Sequence, residues 1–315
     1  MKYFRIAGKR NNLAELVDLN PWARADEEAA QSNAGVGPGE ATSVCEGKEL
    51  AQRRRAAVAT RLGAGSNAWN NWAQSMLSIK GRLQGQPASL RIWRALASAD
   101  FAGLVLRHNA NFAGLVFPGP VDFSHARFGV DGWFNAARFL DSADFRGTIF
   151  ERDGLFDHAE FAAAARFDQA RWSRDAQFRL ARFAGDAHFR DARFERDAWF
   201  VDSNFAGAAL FAAAQFSGNA GFGRCEFHGA ADFSLARFKD NAGFDQAHFC
   251  ARIRFDETRF LRKAWFQEAR FDGNASFDRA QFSGGLELAG VVLTKNSGIA
   301  EELAAQRKPL MSRNS

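Results

Sequence analysis

Cross-links and rigid turns are scarce in this chain: among 315 residues there are three Cys, six Pro and a single Tyr. Three cysteines cannot form a disulfide framework, and their scatter fits a reducing compartment. No apolar run approaches the ~18 residues that a membrane-spanning helix needs. The opening "MKYFRIAGKRNN" also lacks the apolar core of a secretory signal. The expectation is therefore a cytoplasmic protein without a membrane span.

Excess charge of one sign is missing too. Lys and Arg number 41 against 36 Asp and Glu, giving a formal charge of +5. The chain has no nucleophile elbow, phosphate-binding glycine loop or dinucleotide fingerprint. Its six histidines are His108, His125, His158, His188, His228 and His248. Along the sequence no two of them stand at a metal-ligand spacing with a nearby Cys or carboxylate. Paired acids such as Asp256 and Glu257 alternate with Arg, as on a solvated face. The reading is no enzyme, no cofactor and no metal.

What is abundant is phenylalanine, and it is periodic. One series runs Phe101, Phe112, Phe123 and onward to Leu288; a second runs Leu106, Phe117, Phe128 and onward to Leu293. Of the 36 slots, 32 hold Phe, and the exceptions are Leu106, Trp172, Leu288 and Leu293. Two residues before each slot stands Ala in 24 cases and usually another small residue elsewhere, as at Gly132, Thr148, Ser203 and Cys225. Steps of five and six residues scatter Phe around a helix, so an eleven-residue helical supercoil is excluded. In a strand, residues two apart share a face, so the small residue and the Phe point inward together. Gly two places after the second-series slot, as at Gly119, Gly185, Gly207, Gly218, Gly229, Gly273 and Gly284, suggests a corner needing positive φ.

A short strand and turn cannot bury its apolar face alone, so such units must stack into a solenoid. Four sides and 22 residues would make one coil, and roughly nine coils a rod on the order of 40 Å long. The expected fold is an all-β solenoid with parallel strands. Its boundaries are residues 95–293. A polar segment over 1–48, with a low-complexity stretch at 26–48, is expected to be flexible. A helical N-terminal cap is expected over 49–94, with one helix at 49–62 and another after Ser66, a plausible N-cap, marked by Trp69, Trp72, Met76 and Leu77. A short helix at 298–308, within a tail of 294–315, would close the other end.

The run "FAGDAHFRDARFERDAWFVDSNF" (Phe183 to Phe205) resembles the pentapeptide-repeat proteins, whose unit is a small, a polar and a large apolar residue followed by two more. Here every second unit carries one extra residue. The resemblance covers about residues 95–293 and implies a right-handed quadrilateral β-helix. About function it implies little, since fold and function separate.

Outward positions read at a 22-residue step give two candidate contact lines. Trp133, Leu155, Trp199 and Trp265 share one with Gln177, Gly221 and Gly243; exposed aromatics there would suit a protein partner or a homodimer. The competing reading lays those rings over neighbouring Arg stems. Arg127, Arg171, Arg193, Arg237 and Arg259 form the second line. It would meet an anionic partner unless salt-bridged to nearby acids. Arg53, Arg54 and Arg55 could touch nucleic acid but fit a solvated helix face better. The leading functional reading is a non-enzymatic scaffold or protein-interaction module. The alternative is a topoisomerase-modulating DNA mimic, which some pentapeptide-repeat proteins resemble. A mimic needs a strongly acidic surface, whereas residues 95–293 carry 23 basic and 26 acidic side chains.

Overall fold

The computed structural model describes residues 55–107 and 110–293. Residues 1–48, the short helix expected at 298–308, Arg53, Arg54, Cys45 and His108 lie outside the described residues. From Ala99 to Leu293 the chain forms 36 two-residue strands in four parallel nine-stranded sheets. Each strand pairs with its counterparts on the coils before and after it: Ala165 lies beside Ala143 and Ala187, for instance. The result is a parallel β-solenoid of about nine coils with four faces. We number the faces by their first strands, Ala99–Asp100, Val105–Leu106, Ala110–Asn111 and Val116–Phe117.

Strands this short have no stability of their own, so the interior must supply it. Up to the last coil, where Leu286 and Leu288 are only partly buried, the first-series strands bury their first residue and aim the following Phe inward, as Ala176 and Phe178 do with no exposed surface. The large residues form four ladders along the axis. Successive rings in a ladder are stacked nearly parallel, with centroids from 4.4 Å (Phe101 and Phe123) to 5.3 Å (Phe150 and Trp172) apart. Ladders of the opposite first and third faces meet edge to face across the interior, as Phe178 and Phe189 do at 5.5 Å and 89°, so both favourable aromatic geometries are used together. Burying one Phe contributes about 1.5–3 kcal/mol before entropy is subtracted. Polar residues in the small slots are satisfied by the backbone: Thr148 Oγ1 donates to the Phe123 carbonyl at 2.7 Å and Thr258 Oγ1 to that of Phe233 at 2.7 Å. Cys225 Sγ makes the matching contact to the Phe200 carbonyl at 2.8 Å. Trp172 fits a Phe slot because Gly154 leaves room; a Cβ on Gly154 would stand 2.3 Å from Trp172 Nε1.

The corners correct one expectation. Positive φ does not fall on the glycines two places after the second-series slots, although Gly285, one place further on, has φ 113°. It falls two residues after the first-series slot, on fourteen non-glycine residues from His125 to Arg279 and on Gly103, Gly114, Gly147 and Gly290. An L-residue in this left-handed conformation costs about 1–2 kcal/mol. The inter-coil ladder offsets that cost, since the same residues bond the next coil, as in Ala136 N–H to the Asp157 carbonyl at 2.8 Å. The second-series glycines serve another need. A Cβ on Gly185, Gly207 or Gly229 would stand 2.2–2.5 Å from backbone atoms of the preceding coil, so these positions are small because adjacent coils approach closely there.

Helical residues 55–63 (α1), Ser66–Arg82 (α2) and Pro87–Ala97 (α3) pack on the first coils. Sequence reading missed α3, which Pro87 opens with its φ already set for a helix. Ser66 is the first helical residue and not the cap; Gly65, at φ 94°, is the N-cap. Trp69 takes the place one step beyond the end of a Phe ladder, 5.4 Å from Phe117, and its Nε1 donates to the Val116 carbonyl at 2.8 Å. Val58 and Leu62 join the same core. Asn70 pairs with the edge strand twice, through the Gly114 carbonyl and the Val116 N–H. Arg55–Asp100 at 3.0 Å and Arg94–Asp141 at 2.8 Å add ion pairs between the helices and the solenoid.

Candidate functional site

The outward residue of each strand is free to vary because the pleat turns it away from the core. On the third face the structure places the tryptophan line in one register: Trp133 beside Leu155, Leu155 beside Gln177, Gln177 beside Trp199, then Gly221, Gly243 and Trp265. The side chains are half-buried, not exposed as expected. Trp199 lies over the backbone of the next coil, where a Cβ on Gly221 would meet its Cε3 at 2.5 Å. Arg179 Cζ stands 5.7 Å from the Trp199 ring centroid. Flat packing against Arg therefore holds in part, and glycine backbone takes the remaining contact. Trp133 Nε1 is buried without a hydrogen-bond partner among the described residues.

Two consecutive glycines leave the third face without side chains for two coils. A groove of about 280 Å³ results, lined by Trp199 and Trp265, floored by Gly221 and Gly243, and flanked by Asn219, Asn241 and Asp245. Asn241 Nδ2 donates to Asn219 Oδ1 at 3.1 Å, fixing that flank. Asp245 Oδ1 is buried without a hydrogen-bond partner among the described residues. Burial pushes the Asp245 carboxyl above the usual carboxylate range, against the backbone N–H groups of Gln267 and of Asp245 itself, which lower it. The groove thus combines aromatic surface with one under-solvated acid.

On the second face the arginine line is also in register: Arg127, Ile149, Arg171, Arg193, Gln215, Arg237, Arg259 and Gln281. It divides into two parts. Arg127 is paired with Glu151, and Arg171 with Glu195 at 3.2 Å. Arg193, Arg237 and Arg259 have no ion pair among the described residues. Arg237 and Arg259 border a shallow polar groove with Gln215, Gln281 and an Arg279 that is held by Glu257 at 3.1 Å.

The fourth face carries a cluster that sequence reading did not find. Cys250 Sγ lies 3.6 Å from His228 Nδ1, and His248 turns the edge between its two ring nitrogens toward the same sulfur, at 3.7 Å for Nδ1 and 3.6 Å for Nε2. His228 stands one full coil before Cys250 and His248 precedes Cys250 by two, so the signal lay in the coil period. Among the described residues no three such donors meet at one metal-sized point.

Four parallel sheets, one strand of each per coil, and an interior of stacked aromatics define the chain as a β-solenoid repeat protein. A family model for pentapeptide repeats, described as nine copies, matches residues 112–160, 156–204, 222–262 and 250–292, more than half of the chain. The chain belongs to the pentapeptide-repeat family. No curated protein matches it. No helix among the described residues is long and apolar enough to cross a membrane.

Proposed function

We propose that this chain is a non-enzymatic scaffold, coiled in the right-handed sense that the family resemblance implies, which binds a protein partner through its third face. The observation that carries the reading is the groove between Trp199 and Trp265. Its walls are aromatic: Trp199 covers the floor at Gly221, and the half-buried backbone at Gly243 leaves the floor between the two rings without a side chain. Half-buried Trp is well suited as an anchor, because packing has already fixed its rotamer and little entropy is lost on binding. Asp245 at the edge favours a partner residue that brings a donor or positive charge. Arg193, Arg237 and Arg259, on the adjacent second face, offer an acidic segment of the same partner a place to lie. In this reading the helices within 49–94 cap the first coil, whose edge would otherwise pair with another chain. The free cysteines Cys225 and Cys250 suit a reducing cytoplasm.

The test is affinity capture from the source cells with wild-type chain and with the Trp199→Ser, Trp265→Ser double variant. A protein retained by the first and lost by the second, with thermal unfolding of both nearly the same, is the expected result. Equal recovery of every captured protein would remove the tryptophan groove from the function. Size analysis of both chains separates a homodimer from a foreign partner.

A further inference from the structure

The second face carries two outward columns, one formed by the residue before each inward ring and one by the residue after it. The first is the arginine line. The second runs Gly129, Glu151, Ser173, Glu195, Ser217, Lys239, Leu261 and Ser283. The two ion pairs described above for this face obey one rule. Arg127 meets Glu151 and Arg171 meets Glu195, each acid standing 24 residues further on, in the second column of the next coil. At that position Arg193, Arg237 and Arg259 have Ser217, Leu261 and Ser283 instead. The second column loses its acids after Glu195, which is why these three arginines have no ion pair among the described residues.

Charge accumulates where the acids stop. Arg237 and Arg259 are register partners on neighbouring strands, whose inward rings Phe238 and Phe260 lie 4.8 Å apart. Lys239 adds a third cation and donates to Ser217 Oγ at 3.1 Å. Like charges directly opposite one another destabilise a sheet, so a bound anion relieves a cost already present. Around the cations stand Gln215, Ser217, Gln281 and Ser283, all able to donate hydrogen bonds, and neither column holds a carboxylate from Gln215 to Ser283. Gln215, Arg237, Arg259 and Gln281 line a groove of about 430 Å³ together with the corner residues Ala213 and Leu235. The acids that border it are Glu257, which Arg279 holds at 3.1 Å, and Asp191, two coils before Leu235.

We propose that Arg237, Lys239 and Arg259 form a docking site for a phosphorylated side chain on a segment of the protein partner. A phosphoryl group brings a charge of about −1.5 to −2 and three acceptor oxygens, which suits two guanidinium forks and an ammonium better than a single carboxylate does. From Arg193 to Ser283 the two columns carry no aromatic ring on which a nucleic-acid base could stack, so the occupant is a protein segment. The proposal rests on the scaffold reading and specifies its acidic segment: partner binding through this face follows the partner's phosphorylation state.

Fluorescence anisotropy of labelled peptides with the full chain tests the site. The probe is a ten-residue Gly and Ser peptide with phosphoserine at three alternate positions; the controls are the same peptide unphosphorylated and with Asp at those positions. Saturable binding of the probe that weakens with added salt is expected, with both controls at least ~10-fold weaker. Leu261→Glu and Ser283→Glu restore the acids that Arg237 and Arg259 lack, and each should weaken the probe at least ~10-fold. The Arg237→Gln, Arg259→Gln double variant should do the same without an added acid. All four positions face outward, and an unchanged circular dichroism spectrum verifies the fold. Absence of probe binding to wild type would overturn the proposal, as would equal affinity for the Asp peptide, unchanged affinity in the three variants, or tighter binding of a ten-nucleotide oligo(dT). None of these readouts involves the tryptophan groove, so failure here is distinct from failure of the capture experiment.

Discussion

The inward and outward residues of the same strands follow different rules. Inward, the sequence is nearly constant: Ala then Phe, coil after coil, with ring spacings that vary by less than an ångström between Phe101 and Phe277. Outward, every face differs from its neighbours, and one face changes along its length from Trp to Gly to Trp. The interior has a single task, to stack identical units, so one solution serves all coils. The exterior carries whatever distinguishes this chain from another member of its family. Its individuality is confined to a few places: a glycine-floored groove, an arginine row in which Arg193, Arg237 and Arg259 have no ion pair among the described residues, and a Cys–His grid.

Truncating the inside should give the largest effect. Phe178→Ala removes a ring stacked on Phe156 and Phe200 at 4.8 Å and is expected to cost about 3–5 kcal/mol in chemical denaturation. A cost below that of an outward substitution such as Arg127→Ala, about 0–1 kcal/mol, would break the contrast between the two sides. Next come the two kinds of corner. Gly229→Ala puts a Cβ 2.2 Å from the Gly207 carbonyl oxygen and should cost about 1–3 kcal/mol by overpacking. Leu235→Asn acts at the other corner, where φ is 62° and the residue is 60% exposed. Asn tolerates that conformation better than Leu, so a gain of about 0.5 kcal/mol is expected in the same denaturation assay. If Gly229→Ala proved neutral while Leu235→Asn destabilised, the assignment of close approach to one corner and left-handed backbone to the other would be reversed.

The corner glycines show how partial legibility arises. Gly185 and Gly207 stood out in the sequence at the right place for a corner, and the reading tied them to positive φ, the usual reason for Gly in a turn. Their actual reason is a neighbour on the preceding coil, invisible to local propensity. The left-handed residues escaped notice for the complementary reason. His125, Leu180 and Arg224 give no local sign of positive φ, because the inter-coil ladder and not their own preference holds them there. The candidate lines fared differently from one another. The coil-length step aligned Trp133 with Trp265 and Arg127 with Arg259 correctly, but it could not tell how far the Trp199 ring would sink onto the backbone of Gly221.

By itself the sequence determined the period, the inward set of side chains, the count of coils and the family, because a residue repeated at a fixed interval in an apolar, strand-like pattern has only one way to be buried. Tertiary structure decided which outward side chains meet. Cys250 and His228 become neighbours only when a coil closes on itself and the next one stacks on it in register. Whether two such groups touch then depends on corner geometry and rotamers, which short-range sequence pattern does not encode.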